Sequence, residues 1–124
     1  MHLKHIILFN VMHEVSVAQN ILKIVEEELE KNKGKTVNQL RLEVGSLSGV
    51  VIESLQFALD VSRNDSILKH TEILIDEMPA RVKCRSCNFE FEADDYYVVC
   101  PKCQDFQLDF LSGRELKIKS IVIS

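Results

Sequence analysis

From Val15 onward, apolar residues recur at spacings of three and four: Val15, Ala18, Leu22, Val25 and Leu29, with Ile21 and Ile24 widening the stripe. This is the repeat of an amphipathic helix with one face against a core. Ser16 followed by Gln19 offers a capping box. Gly34 offers a C-terminal stop, with Lys31 and Lys33 suited to the last turn. The pattern predicts a helix over 16–33, with Glu26, Glu27 and Glu30 in solvent. The period then drops to two. Leu40, Leu42 and Val44 alternate with Gln39, Arg41 and Glu43, which predicts a half-buried strand over Val37–Gly45. Gly45 to Gly49 reads as a turn, and Ser48 or a neighbour as the cap of a second helix over 50–63. That helix buries Ile52, Leu55, Ala58 and Leu59, with Val51 and Phe57 at its margins, and the polar run Arg63 to Ser66 ends it. Thr71–Glu77 reads as a second strand with Ile73 and Ile75 on its core face and Pro79 at its exit. The last strand, Glu115–Ile123, alternates as Leu116 and Ile118, then changes face near Ser120 to Ile121 and Ile123; a bulge or a change of environment accounts for the shift.

Between the last two strands lie all four cysteines, in two identical brackets: Cys84-Arg85-Ser86-Cys87 and Cys100-Pro101-Lys102-Cys103, with twelve residues between the inner pair. Each bracket puts two thiolates on one side of a tight turn, and two facing brackets complete a tetrahedral shell for zinc. Such a shell leaves no position for water or substrate, so the metal is expected to be structural. Two disulfides are the competing use, but no secretory signal is apparent and paired brackets favour metal in a reducing cytosol. The aromatic and apolar residues around the brackets (Phe89, Phe91, Tyr96, Tyr97, Val98, Val99) read as a mini-core under the metal. The predicted fold class is therefore α+β: two helices on a small mixed three-stranded sheet, with an inserted four-cysteine zinc-ribbon-like lobe. A chain of 124 residues, 46% apolar, suits one compact core, whereas the lobe alone is too small to fold without its metal.

Charge narrows the partners. With 15 basic and 19 acidic residues the net charge is −4, which is not the footprint of phosphate binding. Arg81, Lys83, Arg85 and Lys102 cluster around the brackets and are expected to offset an anionic zinc–thiolate centre. No apolar run approaches a membrane span.

Before the first helix stands Met12-His13-Glu14. With the segment Val44 to Val50 (VGSLSGV), the two cysteine brackets and the closing Gly113-Arg114-Glu115-Leu116, it makes the chain from Met12 to Ser124 resemble the HypA family of [NiFe]-hydrogenase maturation. The resemblance implies a cytoplasmic metallochaperone, not an enzyme. Ni(II) is its cargo, held at Met12, His13 and Glu14, and Zn(II) is structural, held by Cys84, Cys87, Cys100 and Cys103. It implies nickel ligation by nitrogens: the terminal amine, backbone amides and the His13 imidazole. Ni(II) accepts such a set, and acid should compete for it. Glu14 would give an amide nitrogen or orient His13. The implied partners are a GTP-hydrolysing nickel accessory protein and the hydrogenase large subunit, with urease accessory proteins and a homodimer as further candidates, and neither nucleic acid nor membrane. The implied division is an extension at 1–11, a nickel-binding α/β domain of 12–80 plus 110–124, and a zinc-binding lobe at 81–109. One departure matters. The family places the methionine at the chain terminus, and here eleven residues precede it. In the long form the Met12 nitrogen is a peptide amide. The favoured expectation is a start at Met12; the alternatives are an altered site, or an unscaffolded one at Met1-His2.

Other classes fit less well. A zinc-ribbon module binding protein or nucleic acid without nickel delivery is permitted by the brackets but opposed by the acidic balance. For catalysis there is no nucleophile–base pair or phosphate loop; Asp94-Asp95 reads as a solvated turn and His70 as a surface histidine.

Overall fold

The computed structural model describes the backbone of Ile6–Ile7 and residues 14–124. In chain order the elements are β1 (Ile6–Ile7), α1 (Glu14–Glu30), β2 (Val37–Gly45), α2 (Ile52–Arg63), β3 (Glu72–Met78), β4 (Ala80–Cys84), β5 (Glu90–Ala93), β6 (Leu108–Phe110) and β7 (Leu116–Ile123). They form two sheets. The larger has the order β1-β7-β2-β3 and is mixed: β2 runs parallel to β3, across the α2 connection, and antiparallel to β7. Its three long strands are those read from the alternation, and the short β1 adds to them along the β7 edge. The smaller sheet, β5-β4-β6, is antiparallel and is inserted between β3 and β7.

The helices cover one face of the larger sheet. Val17, Ala18, Ile21 and Val25 of α1 and Leu55, Ala58 and Leu59 of α2 pack on Leu40, Leu42 and Val44 of β2 and on Leu116, Ile118, Ile121 and Ile123 of β7. Each fully buried Leu or Ile here stabilises by about 1.5–3 kcal/mol. The opposite face is polar and internally paired. Gln39 donates to Glu72 at 2.9 Å, Arg41 contacts both carboxylate oxygens of Asp76 at 3.1 and 2.9 Å, and the buried Glu43 takes Lys117 at 3.2 Å and Lys119 at 3.4 Å. The change of face near Ser120 is a β-bulge: Leu42 pairs with Ile118 and Arg41 with Ser120, leaving Lys119 without a partner on β2.

Three local expectations need correction. First, the described part of α1 spans Glu14–Glu30, so Ser16 lies inside the helix and does not cap it. Its buried stripe is correspondingly Val17, Ala18, Ile21, Val25 and Glu28, and Val15 is 59% exposed. Apolar residues at both 15 and 17 let two phases of a 3.6-residue repeat fit, and packing selects the second. Second, the residue at the N-cap of α2 is Val51, which supplies no side-chain cap; the Ser48 hydroxyl accepts the Val50 N–H at 3.2 Å within the preceding turn. Third, the inserted lobe does not bury all its aromatics. Its core is Ala80, Val82 and Ala93 with Phe91, Val98, Leu108 and Phe110, whereas Tyr97 and Val99 are exposed.

That small core borrows one side chain from the main body. Leu47, in the turn after β2, packs into it. The same turn is tied to the insertion and to the segment leaving it: the Tyr96 hydroxyl donates to Leu47 O at 2.7 Å, and the Leu47 N–H donates to Gly113 O at 2.7 Å. Arg114 lies over the rings of Tyr96 and Phe110, 5.5 and 5.1 Å from their centroids.

Candidate metal centre

Cys84 is the last residue of β4, and its N–H donates to Phe89 O at 2.9 Å, so the strand folds directly into the first bracket. The two brackets are built alike. The N–H four residues after the first cysteine returns to that cysteine's carbonyl: Asn88 to Cys84 at 2.9 Å and Gln104 to Cys100 at 2.8 Å. Both returning residues have positive φ, 63° and 65°, a conformation that asparagine adopts readily and glutamine seldom. In each bracket the first cysteine is buried, while the second is half-buried (Cys87) or exposed (Cys103). The brackets face each other, and all four Sγ atoms lie within 4.8 Å of one another. Cross-bracket separations are 3.5 Å for Cys84–Cys103 and 3.6 Å for Cys87–Cys100. Zinc–sulfur bonds of about 2.3 Å set tetrahedral edges of about 3.8 Å, so the donor set and its spacing fit this metal.

The metal-free thiols are electrostatically unequal. Burial raises the Cys100 pKa, but the N–H groups of Cys103 and Lys102 (3.5 and 3.4 Å from its sulfur) and the Cys87 and Cys103 thiols outweigh it and hold the pKa at about 6. For Cys103 a backbone hydrogen bond from Asp105 acts downward, but the other three thiols and burial together push it up to about 12. Cys87 is also raised: a Phe89 backbone bond acts downward, but burial and the Cys100 thiol prevail. One thiolate therefore forms first and opposes the next, until a cation reverses the sign of the local field.

Of the basic residues around the brackets, Arg85 pairs with Asp109 at 2.7 Å and Arg81 with Glu90 at 3.9 Å, while Lys102 lies over the Phe89 ring. Arg81 and Arg85 thus each pair with a neighbouring carboxylate. Sequence reading also missed Asp105. Its carboxylate accepts from the Ser86 hydroxyl of the opposite bracket and from the N–H groups of Phe106 and Gln107 at 2.7 and 3.2 Å, so it stitches the brackets together. An aspartate two residues past Cys103 was the available signal, since aspartates in turns commonly take the N–H two residues on.

Met12 and His13 lie outside the described residues. Glu14 opens α1, half-buried, and its Oε2 accepts the Val51 N–H at 3.2 Å. Around it is an open groove between the starts of the two helices, lined by Glu14, Val15, Ser16, Glu53, Ser54, Phe57 and Ala58. His70 is exposed, away from the cysteines, and Asp95 accepts the Tyr96 and Tyr97 N–H groups in an exposed turn. Among the described residues, no helix is long and apolar enough to cross a membrane.

Comparison with known proteins places this architecture. A family model described as a hydrogenase/urease nickel incorporation metallochaperone, HypA, matches residues 12–123. The hydrogenase maturation factor HypA of Francisella philomiragia is 36% identical over 113 residues, which are 91% of this chain and 100% of that protein. That of Parabacteroides distasonis is 38% identical over 112 residues, 90% of this chain and 97% of that protein. In fold, the solution structure of the Ni metallochaperone HypA from Helicobacter pylori is similar with a TM-score of 0.60 at 24% identity, covering 89% of this chain and 96% of that one. The solution structure of a HypA protein is similar with a TM-score of 0.66 at 24% identity, covering 93% and 98%. Matched across nearly its whole length by sequence and by fold, the chain belongs to the HypA family of hydrogenase maturation factors.

Proposed function

We propose that the chain is a nickel metallochaperone that carries Ni(II) at Met12, His13 and Glu14 and hands it on for maturation of [NiFe]-hydrogenase, and of urease where one is present. The observation that supports this most is the family match opening at Met12, the residue that begins Met12-His13-Glu14 at the head of α1. In this reading residues 12–80 with 110–124 form the cargo-bearing α/β domain. Residues 81–109 form the lobe in which Cys84, Cys87, Cys100 and Cys103 hold zinc. When bound, zinc supplies a cross-link between the brackets and a counter-charge for four thiolates. The protein acts in the cytoplasm, its partners being a GTP-hydrolysing nickel accessory protein and the hydrogenase large subunit.

The division of labour follows from the donors. Four thiolates in a closed shell hold a metal to be kept. A nitrogen set of amine, amide and imidazole weakens when acid competes for it. A delivered metal must leave, and the second arrangement permits that.

The test is a nickel titration of zinc-loaded chains starting at Met1 and at Met12, each with a His13→Ala control. One nickel bound by the Met12 chain and lost in its control is the expected result. Equal binding by both starts through His13 would make the free amine dispensable and redraw the ligand set. No nickel in either chain, with zinc retained, overturns the delivery reading.

A further inference from the structure

The turn after β2 is held from several directions. Ser46 N–H donates to Met78 O at 2.9 Å, Leu47 N–H to Gly113 O at 2.7 Å and Ser48 N–H to Gly45 O at 3.0 Å. Tyr96 of the lobe closes on Leu47 O, and the Ser48 hydroxyl takes the Val50 N–H. The turn then runs into α2, whose first helical hydrogen bond is Leu55 N–H to Val51 O at 3.0 Å. The Val51 N–H stands ahead of that ladder and has no intrahelical acceptor. In a capping box, a glutamate three residues into the same helix accepts this N–H. In α2 that position is Ser54, and Val51 has no capping side chain. Glu14 supplies the missing acceptor from the other helix, placing a carboxylate at the positive end of the α2 dipole.

We propose that Glu14 is a positioning residue: its carboxylate caps α2 in trans at Val51 and thereby fixes the start of α1, next to His13, on the turn that the cysteine lobe grips through Leu47 and Tyr96. The cap occupies one acceptor site of the carboxylate and does not by itself bar Glu14 from nickel, so the nickel spectrum is what separates positioning from ligation. The assignment rests on the nickel reading above only for its functional consequence; the cap itself does not depend on it.

The test uses the full zinc-loaded chain, its Glu14→Ala and Glu14→Gln variants, and nickel chloride as the probe. Glutamine keeps a carbonyl oxygen able to accept the Val51 N–H but no charge. Exchange of the Val51 amide, followed by nitrogen-15 NMR, should accelerate about tenfold in Glu14→Ala and stay within about twofold of the parent in Glu14→Gln. The nickel ligand-field spectrum should be the same in all three proteins, with affinity weakened about fivefold in Glu14→Ala and rescued in Glu14→Gln. An unaltered Val51 amide in Glu14→Ala overturns the proposal. So does a ligand-field change common to both variants, which would make the carboxylate a ligand. If nickel binds none of the three while Val51 responds as expected, the cap stands and the delivery reading falls.

Discussion

Replacing Gly45 by alanine tests whether the junction between the sheet and the inserted lobe is as tight as its geometry requires. Gly45 ends β2 against the chain returning from the lobe. A Cβ at this position would overlap the Gly113 carbonyl and sit 2.6 Å from Arg114 N. Every atom it meets is backbone, so no rotamer change relieves the overlap, and the two segments must part by roughly 1 Å to restore van der Waals contact. Two hydrogen bonds cross this gap: Gly45 N–H to Glu115 O at 2.6 Å and Leu47 N–H to Gly113 O at 2.7 Å. At about 1 kcal/mol each, with residual strain added, the loss should be about 2–4 kcal/mol. Retreat is blocked because Gly113 itself packs on Ala80, where a Cβ would approach Ala80 Cα to 2.5 Å. The assay is urea unfolding of the zinc-loaded protein by far-ultraviolet circular dichroism, with Gly34→Ala as control. Gly34 has open space around it but φ of +81°, so alanine there should cost only about 1 kcal/mol. Loss of less than about 0.5 kcal/mol in Gly45→Ala, or a larger loss in Gly34→Ala, would refute the reasoning.

Glu43→Ala should destabilise by about 1 kcal/mol in urea unfolding, because it leaves the half-buried Lys117 and the exposed Lys119 without their shared carboxylate. Leu47→Ala removes a side chain of the lobe core far in sequence from the cysteines; competition with a zinc chelator should reveal roughly tenfold weaker zinc binding, since metal affinity includes the cost of folding the lobe. Zinc uptake at pH 7 should release fewer than four protons, because Cys100, with a pKa of about 6, is already mostly thiolate; the number should rise as pH falls through that value, as calorimetry in buffers of different ionisation enthalpy can measure. The Ser86 hydroxyl, the Gln107 N–H and the Phe106 N–H hold the Asp105 carboxyl below its ordinary 3.8. Its stabilising contribution is therefore complete above about pH 4 and lost as pH falls through the depressed value, so urea unfolding curves of the whole parent chain and Asp105→Asn should differ at neutral pH and converge in acid.

The elements that sequence patterning located were those with a single consistent period. β2 buries one face against the helices and alternates accordingly, β3 packs its half-buried Ile73 and Ile75 on the same core, and the bulge in β7 was visible as a lost beat at Ser120. The phase of α1 was not legible, because Val15 and Val17 satisfy two alternative stripes and only the packing of Val17 on the sheet separates them. Convergence of the four cysteines followed from spacing, since each bracket is a local turn. The Asp105–Ser86 tie between the brackets did not, nor did the cap from Glu14 to Val51, because each joins residues that no local repeat relates. The burial of Leu47 in the lobe was hidden for the same reason: a leucine between two serines in a turn reads as exposed until its neighbours across the insertion are known.

The position of Leu47 bears on why the lobe is inserted instead of appended. Apart from Cys84 and Cys100, its buried core side chains are Ala80, Val82 and Ala93. Two alanines and a valine bury too little apolar surface to offset the entropy of ordering some thirty residues. Metal ligation supplies one remedy and docking on the parent domain the other. Insertion between β3 and β7 fixes both ends of the lobe at Ala80 and Gly113, which lie against each other, so closing the loop adds little further entropic cost. The same arrangement brings Leu47 and Tyr96 together at the turn leading to α2. The turn gripped by Leu47 and Tyr96 ends at the N–H that Glu14 accepts. In this architecture the stability of the cysteine lobe and the placement of the first helical turn of α1 are properties of one connected segment.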